Sequence, residues 1–257
     1  MMNKGIRFIK ALAIILLLIG LVAYVLFAMF NMSAPDPDER CEDVELVINK
    51  DARVAFIDST QVDRLLHKHH MYPKGKLLKD VNTQAIEALV RSNAFVEDVE
   101  CYKTSSNKLC INITQRNPVV YVIPNGQDGY YVDQKGAVIP GTVFTSNIIV
   151  ATGDITQKYA TEVLSDFGNY LQGDPFWDNQ IEQIFVSLDR ENKPVVELIP
   201  RVGDHVVYLG GINDYRKKLR RLRIFYEKAM GTVGWNKYER INLEFNNQIV
   251  CTKRKIK

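Results

Sequence analysis

Hydrophobic and polar positions along this chain follow three successive patterns. Residues 11–30, ALAIILLLIGLVAYVLFAMF, are twenty positions without a charge. At about 1.5 Å of rise per residue, a helix of this run spans roughly the 30 Å of a bilayer's hydrocarbon core. From Cys41 the pattern alternates: Val44, Leu46 and Ile48 against Asp43 and Glu45 predict a strand that Ala55-Phe56-Ile57 continues or repeats. Asp58 or Ser59 suits the N-cap of a helix carrying Val62, Leu65 and Leu66 on one face. Pro73 and Gly75 break the chain, and Asn82 opens a second helix with Ile86, Leu89 and Val90 inward. Residues 95–102 and 109–114 read as a hairpin. The order strand, helix, helix, strand, strand predicts a three-stranded sheet with two helices on one face.

Pro118 begins the third pattern. Strands are predicted at residues 119–123, 130–133 and 137–139, with turns at Asn125-Gly126 and Gln134-Lys135-Gly136. Ile148–Ala151 leads into a helix opening at Thr152-Gly153-Asp154 and reaching about Leu171, with Tyr159, Val163, Leu164 and Phe167 inward. Residues 181–188, 194–199 and 206–209 suggest three successive antiparallel strands. Asp214 caps a helix to about Ala229. Residues 240–245 and 249–252 form a last hairpin around Asn246-Asn247. The expected fold class is therefore α+β: an N-terminal transmembrane helix, a β-α-α-β-β domain, and an antiparallel β domain with two helices.

Charge orients the apolar run. Lys4, Arg7 and Lys10 precede it, whereas Asp36, Asp38, Glu39, Glu42 and Asp43 follow it against a lone Arg40. Basic flanks stay cytoplasmic, so the remainder is expected outside the inner membrane, in the periplasm. A cleaved signal peptide is the competing reading. Signal h-regions are shorter, and the nearest cleavage position, before Pro35, would place bulky Met32 three residues upstream. The expected segments are a cytoplasmic tail at 1–10, the span at 11–30, a linker at 31–40 with Pro35 and Pro37, domains at 41–117 and 118–252, and a basic tail at 253–257. The formal charge is +3, but the three bases before the first acid account for all of it. The rest is neutral, which argues against a nucleic-acid partner.

All four cysteines, Cys41, Cys101, Cys110 and Cys251, fall in the exported part, where disulfides are permitted. Cys101 and Cys110 would face each other if Ser105-Ser106 were a two-residue turn. The alternation of Leu109, Ile111 and Ile113 instead turns Cys110 outward, and a one-residue change of loop length reverses the relation. The alternatives are a Cys101–Cys110 disulfide, or a buried Cys101 with an exposed Cys110 thiol.

Catalytic chemistry is sparse. His67, His69 and His70 sit at a helix end without ligands at helical spacing, which gives no metal site. His205 lies inside a strand pattern, and no phosphate-cradling loop or nucleophile elbow occurs. No enzyme activity, cofactor or small-molecule substrate is expected. The last helix places Leu219, Leu222, Phe225, Tyr226 and Ala229 inward, and crowds Arg216, Lys217, Arg220, Arg221, Arg223 and Lys228 on its other faces. That surface is either a solvated face or a dock for an acidic segment.

The order of elements resembles the FtsQ/DivIB family of bacterial cell-division proteins over nearly the whole chain. The residues that carry the resemblance are Asn93-Ala-Phe-Val96, Leu109-Cys-Ile-Asn-Ile-Thr-Gln-Arg-Asn-Pro118, Tyr131-Val-Asp-Gln-Lys-Gly136, the stretch 148–153, Leu209-Gly210 followed by Asp214-Tyr-Arg-Lys-Lys-Leu219, and Ile241-Asn-Leu-Glu-Phe245. Ala94 stands where the family usually has proline, and Asn242 where aspartate is common. The resemblance implies a POTRA-like first domain implicated in recruitment to the division site. It also implies a non-catalytic divisome scaffold that binds the bitopic proteins FtsB and FtsL and links them to the septal peptidoglycan synthases. Residues 249–252 would form an edge strand open to a partner strand. The positions carried over as partner-binding are Phe245, Asn247, Ile249 and Cys251, with Arg216, Arg220 and Arg223 on the basic helix. A POTRA-bearing export or outer-membrane assembly component is the first alternative, and an anchored cell-wall enzyme the second. The former expects a barrel or further POTRA copies downstream.

Overall fold

The computed structural model describes residues 14–28, 38–49, 53–141 and 148–255. Residues 14–28 form helix α1, whose apolar side chains are exposed, Ile14, Leu17, Tyr24 and Phe27 among them. Among the described residues no helix is long and apolar enough to cross a membrane. Positions 11–13 and 29–30 of the expected span lie outside the described residues, as do the 1–10 tail and most of the 31–40 linker.

The described chain divides into two compact units, drawn from Met1–Glu45, Pro73–Thr83 and Tyr102–Cys110, and from Leu46–Tyr72, Gln84–Cys101 and Ile111–Lys257. In the first, the segment before β1 (Asp43–Ile48) pairs with the turn after α2 (Ser59–Lys68). Cys41 N–H donates to the Lys76 carbonyl at 2.9 Å, Gly75 N–H donates to the Cys41 carbonyl at 2.8 Å, and Lys74 meets Asp43 at 3.0 Å. Cys41 is buried there, and burial pushes its thiol pKa up.

In the second unit α2 begins at a capping box: Asp58 accepts from Gln61 N–H at 2.8 Å while the Gln61 amide oxygen accepts from Asp58 N–H. Val62 and Leu66 are buried on α2, and Ile86 and Val90 on α3 (Thr83–Arg91), at the expected three- and four-residue spacing. Strands β2 (Val96–Lys103) and β3 (Lys108–Gln115) complete a three-stranded sheet in the order β1-β3-β2. Cys110, expected as either disulfide partner or exposed thiol, is buried.

The remaining strands are β4 (Pro118–Pro124), β5 (Tyr130–Asp133), β6 (Val138–Pro140), β7 (Ile149–Gly153), β8 (Ile181–Leu188), β9 (Pro194–Pro200), β10 (Val206–Gly210), β11 (Tyr238–Asn242) and β12 (Val250–Lys253). They form one nine-stranded sheet in the order β12-β11-β10-β9-β8-β7-β4-β5-β6. The expectation of an antiparallel sheet is corrected: β4 and β7, β7 and β8, and β10 and β11 pair in parallel. The reason for the last two is the connections. Helices α4 (Gln157–Tyr159), α5 (Ser165–Gly173) and α6 (Pro175–Gln180) carry the chain from β7 to β8. Helices α7 (Tyr215–Phe225) and α8 (Gly231–Val233) carry it from β10 to β11. A helical crossover returns the chain in its original direction, so the neighbouring strands run parallel. Two helices expected there are thus five, with π-helical turns at Ala160–Leu164 and Tyr226–Met230. Asp174 supplies a cap to Phe176 N–H at 2.9 Å and Pro175 occupies the first helical position of α6, which separates α6 from α5.

The main core joins one face of this sheet (Val120, Ala151, Ile184, Leu198, Ile241) to Leu164, Phe167, Trp177, Leu219 and Leu222 from the helices. On the opposite face, at the β6 end, Tyr131, Ile139 and Ile148 cluster with Val54 and Phe56. The Phe56 ring stacks on Phe95 at 5.2 Å and meets Tyr131 edge-on at 5.5 Å. Nearby, the buried Asp133 carboxylate accepts from Arg116 at 2.8 Å and from the N–H groups of Lys135 and Ala137. Those two backbone bonds fix the turn to β6. Gly136 is in the left-handed region (φ +79°), and a Cβ there would lie 2.5 Å from the Thr161 carbonyl oxygen, so only glycine fits.

Candidate functional site

β12 is the terminal strand at one end of the nine-stranded sheet, paired antiparallel with β11. Ile241 faces Cys251 and Asn242 faces Val250, with an irregularity between Tyr238 and Arg240. Strand alternation divides the edge. Ile249 and Cys251 are half-buried and pack against the main core, while Val250 and Thr252 point to the opposite face, Val250 at 44% exposure. Burial raises the Cys251 thiol pKa. Phe245, in the connection from β11, is 46% exposed, and Asn247 beside it is exposed with φ +62°. β12 extends to Lys253, one residue into the expected basic tail, and Arg254 folds back to Asp204 and to the Lys237 carbonyl.

Helix α7 brings its bases to three different places. Arg216 approaches Asp166 at 3.6 Å, bonds the Tyr215 hydroxyl at 3.1 Å and lies over the rings of Tyr170 and Tyr215. Arg223 pairs with Asp174 at 3.1 Å and Glu227 at 2.9 Å, with its guanidinium 4.7 Å from the Phe176 centroid. Both therefore serve the packing of α7 on α5 and α6. Arg220 is exposed and forms no ion pair among the described residues. Asp214, expected to cap α7, is left-handed (φ +57°) and gives no side-chain cap; its carboxylate pairs with Lys217 at 3.0 Å instead.

Sequence reasoning missed Val250, Ile224 and Lys218 here, and placed Arg221 only on the basic face. Val250 supplies the exposed apolar side of β12, and Ile224 is 47% exposed on α7. Lys218 is buried, its ammonium donating to the carbonyls of Leu209 at 2.8 Å and Gly211 at 2.7 Å. Arg221 donates to the carbonyls of Leu243, Phe245 and Gln248 at 2.9, 2.7 and 3.2 Å. Two signals were available. The inward positions 249 and 251 leave 250 outward, and Lys218 adjoins the apolar stripe of Leu219 and Leu222.

A cleft of about 440 Å³ lies beside the end of β7, where the titratable side chains among its described lining are Asp154 and Tyr159. Asp154 accepts from the Asn125 amide at 2.8 Å, and burial pushes the Tyr159 pKa up to about 12. His67 bonds the Asp63 carbonyl at 2.9 Å and stacks on Tyr72. Among the described residues no group of three or more histidine, cysteine or acidic side chains is placed to hold a metal ion.

The described residues thus form a small β-α-α-β-β domain ahead of a helix-backed mixed sheet with β12 at its edge. A family model described as "FtsQ/DivIB, C-terminal related" matches residues 117–252, and one described as "POTRA-like domain" matches residues 39–114. The chain belongs to the FtsQ/DivIB family of bacterial cell-division proteins. Among solved structures, the major extracytoplasmic domain of the trans isomer of the cell-division protein DivIB from Geobacillus stearothermophilus is similar at 16% identity and a TM-score of 0.35, over 46% of this chain and 98% of that one. No curated protein matches.

Proposed function

We propose that this protein is a single-pass scaffold of the divisome in the cell inner membrane. Its N-terminus is cytoplasmic and its two domains are periplasmic. It binds FtsB/FtsL-like bitopic partners by strand addition at β12 and connects them to septal peptidoglycan synthesis, without catalysis of its own. The anchor rests on the twenty-residue uncharged run at 11–30 and its charge asymmetry. The exposed apolar side chains of residues 14–28 fit a lipid environment.

The observation that carries the partner reading is the position of β12 at the sheet edge with Val250 and Phe245 exposed beside it. An unpaired edge presents N–H and C=O groups that an incoming strand satisfies. β12 has only four residues, so main-chain pairing alone supplies few hydrogen bonds. Affinity then depends on side chains: Phe245, Asn247, Ile249, Val250 and Cys251 along the edge. Arg216, Arg220 and Arg223 contribute as an electrostatic steer, with Arg220 the most available of the three.

Ile249→Pro tests the reading by removing an N–H at the start of the edge and stiffening the backbone. The variant should keep the wild-type circular dichroism and lose co-purification with an FtsB-like partner. A folded variant that still captures the partner defeats strand addition. Depletion in the host should give filaments that fail to septate. Normal division under depletion, or a cytosolic location for a reporter fused after Lys257, removes the scaffold reading.

A further inference from the structure

The seven residues between β11 and β12 have little regular structure of their own. Their order comes from Leu243 buried in the main core and Ile249 packed against it, from one local turn where the Asn242 side chain accepts from Glu244 N–H at 2.8 Å, from the Leu243 N–H bond to the Tyr208 carbonyl, and from α7. Lys218 and Arg221 lie one turn apart on α7, and their hydrogen bonds run to main-chain carbonyls. Lys218 holds Leu209 and Gly211, where β10 ends and Gly210 turns the chain at φ +67°. Arg221 holds Leu243, Phe245 and Gln248, which bracket the connection from the end of β11 to the residue before Ile249. Five carbonyls of the β10 terminus and the β11–β12 connection thus converge on two cations of one helix.

Hydrogen bonds from a charged donor are stronger than neutral ones, and the planar guanidinium fork can span several acceptors at once. β12 pairs with β11 over four residues with an irregularity between Tyr238 and Arg240, so its register also depends on where the connection delivers it. We propose that Arg221, backed by Lys218, is a positioning residue that fixes where β12 begins and so which main-chain groups and which face, Val250 or Cys251, the edge presents to an incoming strand. The functional half of this inference rests on the strand-addition reading above. The structural half does not: it makes a statement about the protein alone.

The test uses the full chain in detergent with Arg221→Ala, Arg221→Lys and Lys218→Met. Two readouts are taken: amide hydrogen exchange without partner, and co-purification with a co-expressed FtsB-like bitopic protein. The expected result is about tenfold faster exchange across residues 243–253 in both Arg221 variants, with β8, β9 and α5 unchanged. Lysine keeps the charge but not the three-acceptor fork, so Arg221→Lys should not rescue. Lys218→Met should show the same change in smaller degree. Capture should fall in the same order as protection. Unchanged exchange in Arg221→Ala overturns the proposal, even if capture falls, because Arg221 would then be touching the partner directly. Faster exchange with undiminished capture overturns it as well. If the wild-type chain captures nothing, the strand-addition reading fails, and exchange alone still decides whether the clamp exists.

Discussion

The nine-stranded sheet has two ends, and they are finished differently. β6 is three residues long, closes on Pro140, and has its central Ile139 fully buried under the cluster that contains Phe56. β12 is four residues long, ends in Lys253, and keeps Val250 exposed. Both ends are short, which is itself a guard against indiscriminate pairing. Among the described residues, β6 also carries a proline and a fully buried central side chain, whereas Ile249 and Cys251 at the β12 edge are only half-buried. The comparison teaches that shortness alone does not distinguish a silent edge from a receptive one. What distinguishes them is whether side chains from elsewhere already occupy the flanks.

The largest expected effect breaks the sealed end. Phe56→Ala removes a buried ring that contacts Phe95 and Tyr131, and should cost about 3–5 kcal/mol in denaturant unfolding. Exchange should rise in β5 and β6 and stay unchanged in β12. A loss under about 1 kcal/mol would mean the β6 end is closed by something other than this ring. At the open end, Val250→Asp should lower partner capture about tenfold or more while stability moves by roughly 0.5 kcal/mol or less. Equal capture would remove the outward face of β12 from the interface.

A third test separates the ends by pH. His205 is buried, with Nε2 2.6 Å from the Tyr226 hydroxyl and Trp235, Asp204 and Arg254 around it. Desolvation lowers its pKa below the ordinary 6.5. The unfolded chain therefore binds a proton near pH 6.5 that the folded chain resists, and stability must fall as pH drops below that value. Stability should therefore fall as the pH drops below 6.5, and His205→Gln should flatten that slope. Exchange at pH 5.5 should rise more in β10–β12 than in β5–β6. A wild-type curve as flat as the variant's would show that His205 is not the source. The smallest effect is at Arg53, whose two nitrogens each meet an Asp178 carboxylate oxygen at 2.8 Å in a half-exposed setting. Arg53→Ala should cost roughly 0.5–1 kcal/mol, read by thermal unfolding, and leave capture untouched. Lost capture would tie Arg53 to the partner site.

Much of the fold was legible because burial leaves a period. Val62 with Leu66, and Leu219 with Leu222, mark helix faces, and Ile241 with Leu243 marks a strand face, without knowledge of their partners. Strand direction leaves no such trace. The alternation of residues 181–188 is identical whether β8 runs with or against β7, so the parallel pairs were missed. The wrong cap at Asp214 has a similar origin: residue type was right, but its left-handed backbone turns the carboxylate to Lys217. At the edge, sequence gave the strand and its outermost place, but not the roles of the bases. Six cations on one helix look alike in sequence. Their sorting into ring-stacked, carbonyl-bound and exposed sets depends on where α5, α6 and the 243–249 connection lie.

Sheet twist gives the two ends a further difference. Neighbouring strands rotate by roughly 20° on average, so the eight steps from β6 to β12 accumulate about 160°. At about 4.8 Å per step the path across the strands from one rim to the other is nearly 4 nm. A ligand paired along β12 lies eight strand steps from β6, so the two rims are independent addresses on one continuous hydrogen-bonded surface.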